Sequence, residues 1–78
     1  MQAGDFVASR CPGGYLLVEV IQYEPNPLRY STRYIGVGRS AALAVGAVNE
    51  MALRNQTNGW VMEDGHGSET LVVCGRPI

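Results

Sequence analysis

The sequence has no excess of basic residues. Lysine and arginine together number 6 against 7 acidic residues, which gives a formal net charge of −1 over 78 residues. Proteins that bind nucleic acid through the phosphate backbone normally carry a basic excess, because binding depends on neutralising phosphates. The composition therefore argues against a general nucleic-acid binder and leaves only a local basic patch open.

Long apolar runs and targeting signals are also absent. No stretch approaches the roughly 18 apolar residues that a membrane span needs, and the start "MQAGDFVASRC" has no basic segment followed by an apolar one. We therefore expect a cytoplasmic protein. Only two cysteines are present, Cys11 and Cys74. In that compartment we expect both to be reduced, buried and inert, although pairing of terminal strands would allow a disulfide.

The remaining residues are those of a small folded domain. Hydrophobic residues make up 46% and charged residues 17%, so the composition is not that of a disordered chain. Alternating β-branched and aromatic residues predict strands, and turn residues separate them. The predicted strands cover 5–10, 15–23, 29–37, 60–64 and 69–75. We predict one α+β domain, residues 1–78, with an antiparallel sheet of four or five strands and one helix on one face.

A change of period marks that helix, "SAALAVGAVNEMALRNQ" at 40–56, so that the element order is β-β-β-α-β-β. Ser40 is a suitable N-cap, since its side-chain oxygen can accept a hydrogen bond from the first turn. An apolar stripe recurs at i, i+3 and i+4 spacing. It consists of Ala41, Ala44, Val45, Val48, Met51 and Ala52. One helix covers one face of the sheet, which leaves the other face for solvent or a partner.

The stretch "LRYSTRY" (28–34) decides which face is left uncovered. Pairing Tyr23 with Arg29 across a five-residue loop places Glu19 opposite Arg33 as a cross-strand ion pair. A one-residue slip would turn both arginines toward the core, where unpaired charges are costly. This register predicts Val18, Val20, Tyr34, Val48 and Met51 in the helix-covered core. It leaves a partner-binding surface on the other face, made of Leu17, Glu19, Ile21, Tyr23, Arg29, Arg33 and Ile35.

Tyrosine and arginine among aliphatic residues are typical of binding hot spots. The surface therefore predicts a protein partner, with a homodimer as an alternative. A small RNA- or DNA-binding regulator is the other alternative, because Arg29 and Arg33 with Tyr23 could stack on bases. A secondary acidic patch, Glu63, Asp64 and Glu69, could compete for basic residues on a partner.

Three short patterns suggest chemistry without specifying it. "GVGRSA" (36–41) fits a dinucleotide fingerprint, but the chain cannot hold a parallel βαβαβ half plus a catalytic domain, and the flanking strands look like hairpins. "DGHGS" (64–68) contains the residue types of a catalytic triad at spacings too long for a proton relay in an extended strand. The carboxylates and His66 match no standard metal spacing. We predict no catalytic residue, no cofactor and no metal, and therefore not an enzyme.

In size, element order and composition the chain resembles small phage-encoded anti-CRISPR proteins, in particular inhibitors of type I systems. The resemblance extends over about residues 15–74 and rests on the hairpins, the alanine-rich helix and "GWVMEDGHGSETLVV". It carries no diagnostic motif and assigns no residue. The resemblance implies a non-enzymatic inhibitor that binds a multisubunit surveillance complex in the host cytoplasm and blocks target DNA binding or nuclease recruitment.

Overall fold

A computed structural model describes residues 1–63 and 69–78 of the chain. These residues form a five-stranded sheet with one helix against it, in the predicted order β-β-β-α-β-β. The element bounds are β1 Phe6–Cys11, β2 Gly14–Pro25, β3 Leu28–Gly38, α1 Ala41–Asn55, β4 Asn58–Met62 and β5 Glu69–Cys74. The predicted α+β fold class is confirmed.

The strands lie in the order β3-β2-β1-β4-β5. Neighbours are antiparallel except at the centre of the sheet, where β4 runs parallel to β1. The sheet is therefore mixed rather than purely antiparallel. The parallel pair arises because α1 returns the chain, across one face of the sheet, to the end at which β3 began. β4 therefore runs in the same direction as β3 and lies beside β1. A parallel neighbour requires such a crossover connection, which a hairpin cannot provide.

Both ends of the helix are capped. The Ser40 hydroxyl accepts a hydrogen bond from the Leu43 backbone N–H at 3.2 Å, so the predicted N-cap is confirmed. At the other end, Gln56 adopts a left-handed conformation with φ 56°, and its N–H bonds to carbonyls of the last turn. This arrangement satisfies groups that a helix end otherwise leaves unpaired. The helix therefore begins and ends where local chemistry predicts.

The helix packs on the side of the sheet opposite to the predicted one. Its buried residues Ala44, Val48 and Ala52 form one core cluster with sheet residues of the face that we call the helix face. These sheet residues are Phe6, Ala8, Tyr15, Leu17 and Val61. The prediction that Val18, Val20 and Tyr34 lie under the helix is wrong. Val48 lies in the helix core as predicted, and Met51 packs against it half-buried.

Small residues explain the choice of side. An added Cβ at Gly38 would lie 2.8 Å from the Ala44 Cβ, and one at Gly59 would lie 2.5 Å from Val48 Cγ1. Ala8 lies between them on β1 and is fully buried. An alanine-rich helix approaches a sheet most closely at positions where the strands carry small side chains. The helix face provides such positions, and the opposite face has Val7, Val18 and Trp60 instead.

A second apolar cluster lies on that opposite face, which we call the open face. Val7, Val18 and Val20 are buried there, and Met1, Tyr23, Trp60 and Met62 pack half-buried against them. In the described residues no helix covers this cluster. The backbone of residues 1–5 lies along part of its rim, where Gly4 donates to the Val20 carbonyl at 2.8 Å.

The two cysteines are free. Cys74 pairs in register with Asn58, at the Phe6 end of β1, whereas Cys11 is at the other end of that strand. Five residues of strand span about 17 Å at roughly 3.3 Å per residue, so the two sulfurs are too far apart for a disulfide. Cys11 is half-buried and Cys74 is exposed, which corrects the expectation that both are buried.

In the described ranges, no helix is long and apolar enough to cross a bilayer.

Candidate protein-binding surface

The β2–β3 hairpin has the predicted ion pair at its centre. Glu19 lies opposite Arg33, and Arg33 Nη2 donates to the Glu19 carboxylate at 2.5 Å. The pairs Val18–Tyr34 and Val20–Thr32 share this register. The middle of the hairpin therefore follows the prediction that was based on keeping the arginines out of the core.

Two β-bulges change the register on either side of this centre. Ile21 is an extra residue on β2, and Ile35 is an extra residue on β3. The Ile21 bulge places Tyr23 opposite Tyr30 instead of Arg29. The strands then continue to the pair Pro25–Leu28, so the loop has two residues rather than the predicted five. The predicted pairing of Tyr23 with Arg29 is wrong.

The bulge also moves Tyr23 to the other side of the sheet. Tyr23 packs against Val7, Val18 and Val20 on the open face, whereas the Glu19–Arg33 pair belongs to the helix face, since Glu19 lies opposite Phe6. Each bulge adds one residue to one strand and so interrupts the strict alternation of side chains. The predicted binding set is therefore split between two faces.

Two of its members are not available to a partner. Leu17 is buried in the helix core, and Ile35 packs against the same cluster. Their assignment to an uncovered surface is wrong. Ile21, Arg29 and Arg33 are exposed, and Arg29 lies opposite Glu24. The prediction that Arg29 and Arg33 lie on the face away from the helix is wrong, because both are exposed on the helix side of the sheet.

The open face is an uncovered apolar surface of the described residues. Around its buried valines lie large side chains that are substantially exposed, with Tyr34 at 62%, Val37 at 57% and Tyr30 at 53%. In the strand register, Leu16 lies opposite Val37 and Leu71 lies opposite Trp60, so Leu16 and Leu71 belong to the open face as well. A shallow groove of about 190 Å³ crosses the face, and Tyr30, Val18 and Met62 line part of it. Contiguous exposed apolar surface of this kind marks interaction sites.

Among the residues that the structure describes, the open face has no strand arginine. In the register, Arg10 lies opposite Tyr15, and Arg29 and Arg33 lie opposite Glu24 and Glu19, all on the helix side. A surface that stacks bases also needs cations for the phosphates. The exposed tyrosines and the strand arginines thus lie on opposite sides of the sheet.

The predicted acidic patch is partly neutralised. Glu63 accepts hydrogen bonds from the Tyr15 hydroxyl at 2.9 Å and from Arg10 Nη1 at 3.3 Å. Hydrogen bonding to Glu63 raises the pKa of Arg10, and Tyr15 adds to that effect. Glu69 begins β5 opposite Met62. Asp64 lies outside the described residues, so the structure places two of the three predicted carboxylates.

The three short patterns that suggested nucleotide binding, catalysis or metal binding have structural roles, lie outside the described residues or form no metal site among them. In "GVGRSA", Gly38 allows Ala44 to approach the sheet, and Ser40 caps the helix. "DGHGS" corresponds to residues 64–68, which the structure does not describe. Among the described residues, no group of three His, Cys, Asp or Glu side chains is placed to hold a metal ion.

Comparison with protein-family models, with curated proteins and with solved structures gives no match to this chain.

Sequence reasoning missed the open face because it treated all the apolar positions alike. Leu16, Val18 and Val20 form one apolar face in the sequence pattern, but Tyr15 and Leu17 form another, so both sides of β2 read as apolar. A signal was present in the small residues. Ala8 and Gly38 belong to the helix face, and small strand residues indicate where an alanine-rich helix packs.

Proposed function

We propose that this chain is a non-enzymatic protein-binding module and that its open face is the contact surface. The observation that carries the proposal is the set of exposed tyrosines and aliphatic side chains around Val7, Val18 and Val20, on the side without the helix. Burying such a surface against a partner is favourable in proportion to the apolar area removed from water.

The chemistry of the face indicates what its partner presents. Tyr30 and Tyr34 offer flat apolar rings with a hydroxyl at the rim, and Leu16, Val37 and Leu71 offer only aliphatic contacts. A complementary protein would present an apolar patch bordered by carbonyl or carboxylate acceptors for the hydroxyls. Tyrosines in such positions often carry a large share of the binding energy.

The partner to test first follows from the resemblance to anti-CRISPR proteins. Under that proposal the chain acts in the host cytoplasm, binds a subunit of a type I surveillance complex, and blocks target DNA binding or nuclease recruitment. The nucleic-acid-binding alternative has less support, because the strand arginines lie on the other side of the sheet from the exposed tyrosines.

The experiment measures binding of labelled target DNA by a purified type I surveillance complex at increasing concentrations of the chain, together with nuclease recruitment. We expect inhibition of one of the two. Leu71→Asp on β5 and Leu16→Asp on β2 should each weaken inhibition by about tenfold or more if the face contributes hot spots. Arg54→Ala, on the exposed side of the helix, is the matched control and should inhibit like wild type.

Two results would contradict the proposal in different ways. A surveillance complex that neither binds the chain nor loses activity would reject the anti-CRISPR assignment. A complex that binds wild type and both open-face variants equally would reject the open face as the site. Binding of random nucleic acid by the chain alone, with a steep dependence on salt, would favour the alternative instead.

A further inference from the structure

The distal part of the β2–β3 hairpin is a two-stranded arm. β1 pairs with β2 only as far as Glu19, and the N-terminal segment adds hydrogen bonds at Val20. From Ile21 to the β3 residue Thr32, the hairpin arm has no other strand beside it in the described residues. A two-stranded ribbon is marginal in water, and a third strand is normally needed for stability.

β3 is also an edge strand of the sheet, and it is long. It runs over 11 residues, and those from Leu28 to Tyr34 are all exposed. Its outer side leaves backbone N–H and C=O groups without strand partners in the described residues. Such an edge is a template for pairing with another strand.

We propose that two copies of this chain pair antiparallel along β3, with the two-fold axis passing at Thr32. In this register Tyr30 of one copy lies opposite Tyr34 of the other, Ser31 lies opposite Arg33, and Thr32 lies opposite itself. The two five-stranded sheets become one continuous sheet of ten strands. Each hairpin arm then lies beside the better-supported part of the other copy's β3.

Charge selects this register. A two-fold axis perpendicular to the sheet keeps each face continuous across the junction. Directly opposed residues then lie on the same face, so their numbers are both even or both odd. The axis therefore passes at a residue that lies opposite its own copy. An axis at Ser31 would place Arg29 opposite Arg33, and axes at Arg29 or Arg33 would oppose an arginine with itself. Like charges directly opposite are destabilising. Of the axes at residues 29–33, those at Tyr30 and Thr32 avoid all three contacts.

Side-chain pairing separates the remaining two registers. An axis at Tyr30 gives one aromatic pair, opposes Leu28 to Thr32, and places Arg33 opposite the turn residue Pro27. An axis at Thr32 gives two tyrosine–tyrosine pairs and a threonine–threonine pair, all on the open face. Aromatic and threonine cross-strand pairs are both favourable. Beyond Tyr34 the bulge at Ile35 disturbs the strand, which limits regular pairing to residues 30–34.

A second copy fits this edge because the edge is complementary to itself. The sequence between Tyr30 and Tyr34 has tyrosine at both ends and threonine at its centre, so the antiparallel repeat brings like residues into favourable pairs. This inference concerns the strand edge and does not depend on the open-face partner. The two proposals can fail separately.

The first test is the mass of the full chain in solution, by sedimentation equilibrium over a range of concentrations. We expect a monomer–dimer equilibrium. Ser31→Arg would place two arginine–arginine contacts across the axis and should raise the dimer dissociation constant on the order of fivefold. Ser31→Glu is the matched control of opposite charge and should lower that constant. A chain that stays monomeric at millimolar concentration overturns the proposal.

The second test maps the register by cross-linking. In a Cys11→Ser, Cys74→Ser background, single cysteines are introduced by Tyr30→Cys, Ser31→Cys, Thr32→Cys and Arg33→Cys. Directly opposed strand residues have Cα atoms about 4.5–5.5 Å apart, within disulfide range. We expect the fastest disulfide formation at position 32. A maximum at position 30 overturns the register, and a dimer that cross-links at none of these positions overturns the edge.

Leu71→Asp separates this proposal from the proposed function. Leu71 lies on β5, at the opposite edge of the sheet from β3. The substitution should reduce binding of an open-face partner and leave the dimer dissociation constant at the wild-type value. A change in that constant as large as the one from Ser31→Arg would show that copies associate through the open face, and would overturn the edge pairing.

Discussion

The Asp5 carboxylate is fully buried and accepts a hydrogen bond from Arg76 Nη2 at 2.6 Å, so that residues near the two ends of the described chain form an ion pair. Asp5 also accepts from the Gln2 and Asn58 backbone N–H groups and from Trp60 Nε1. Four donors around one carboxylate satisfy a charge that would otherwise be costly to bury. This cluster links the N-terminal segment, β4 and the residues after β5.

We therefore expect Arg76→Ala to destabilise the fold by about 3 kcal/mol, because it leaves the buried carboxylate without its counter-charge. Urea unfolding followed by circular dichroism measures the change. Arg54→Ala is the matched control, since Arg54 pairs with Glu50 in an exposed i,i+4 contact and should cost about 0.5 kcal/mol or less. Equal effects of the two substitutions would show that Asp5 does not depend on Arg76.

Val48→Asp tests the helix packing. Val48 is fully buried against the helix face, so an aspartate there would bury an unpaired charge and should reduce stability by at least about 3 kcal/mol. Leu43→Asp provides the comparison, because Leu43 is exposed in the first helical turn, where a negative charge is favourable. Thermal unfolding of both variants checks the prediction, and a similar Tm for the two would contradict the assignment of the buried stripe.

Two glycines should respond to the same substitution with opposite sign. Gly38→Ala brings a new Cβ to 2.8 Å from the Ala44 Cβ and 2.9 Å from its Cα, so it should force the helix away from the sheet and destabilise by about 1–3 kcal/mol. Gly46 lies in the helix with nothing near its added Cβ. Gly46→Ala should therefore stabilise by about 0.5–1 kcal/mol. Denaturant midpoints measured side by side test both signs.

The cysteines should not pair within one chain. Cys11 and Cys74 lie at opposite ends of the sheet, so mild oxidation of the dilute protein should leave both thiols available for alkylation. Mass spectrometry after alkylation, with and without prior reduction, measures this. The Cys11→Ser, Cys74→Ser double variant should unfold at nearly the wild-type temperature. An intramolecular disulfide in the oxidised protein would contradict the pairing of β4 with β1 and β5.

The sequence by itself determined the elements of this protein. The change from alternating to 3.6-residue period located the helix, and Ser40 fixed its start because the cap depends only on atoms within one turn. The Glu19–Arg33 pairing was also predicted correctly, but the expectation that it keeps both arginines off the helix side of the sheet is wrong. Each of these features depends only on neighbouring residues or on two strands joined by one turn.

The tertiary structure alone decided which residues are exposed. The bulges at Ile21 and Ile35 shift the hairpin by one residue on either side of its centre, and a one-residue shift moves a side chain to the other face. The position of β4 beside β1, and the side on which α1 packs, depend on contacts among elements distant in sequence. Both faces of β2 are apolar, so hydrophobicity could not distinguish them. Close approach of Ala44 to Gly38 and of Val48 to Gly59 did, because shape rather than polarity determines where an alanine-rich helix fits.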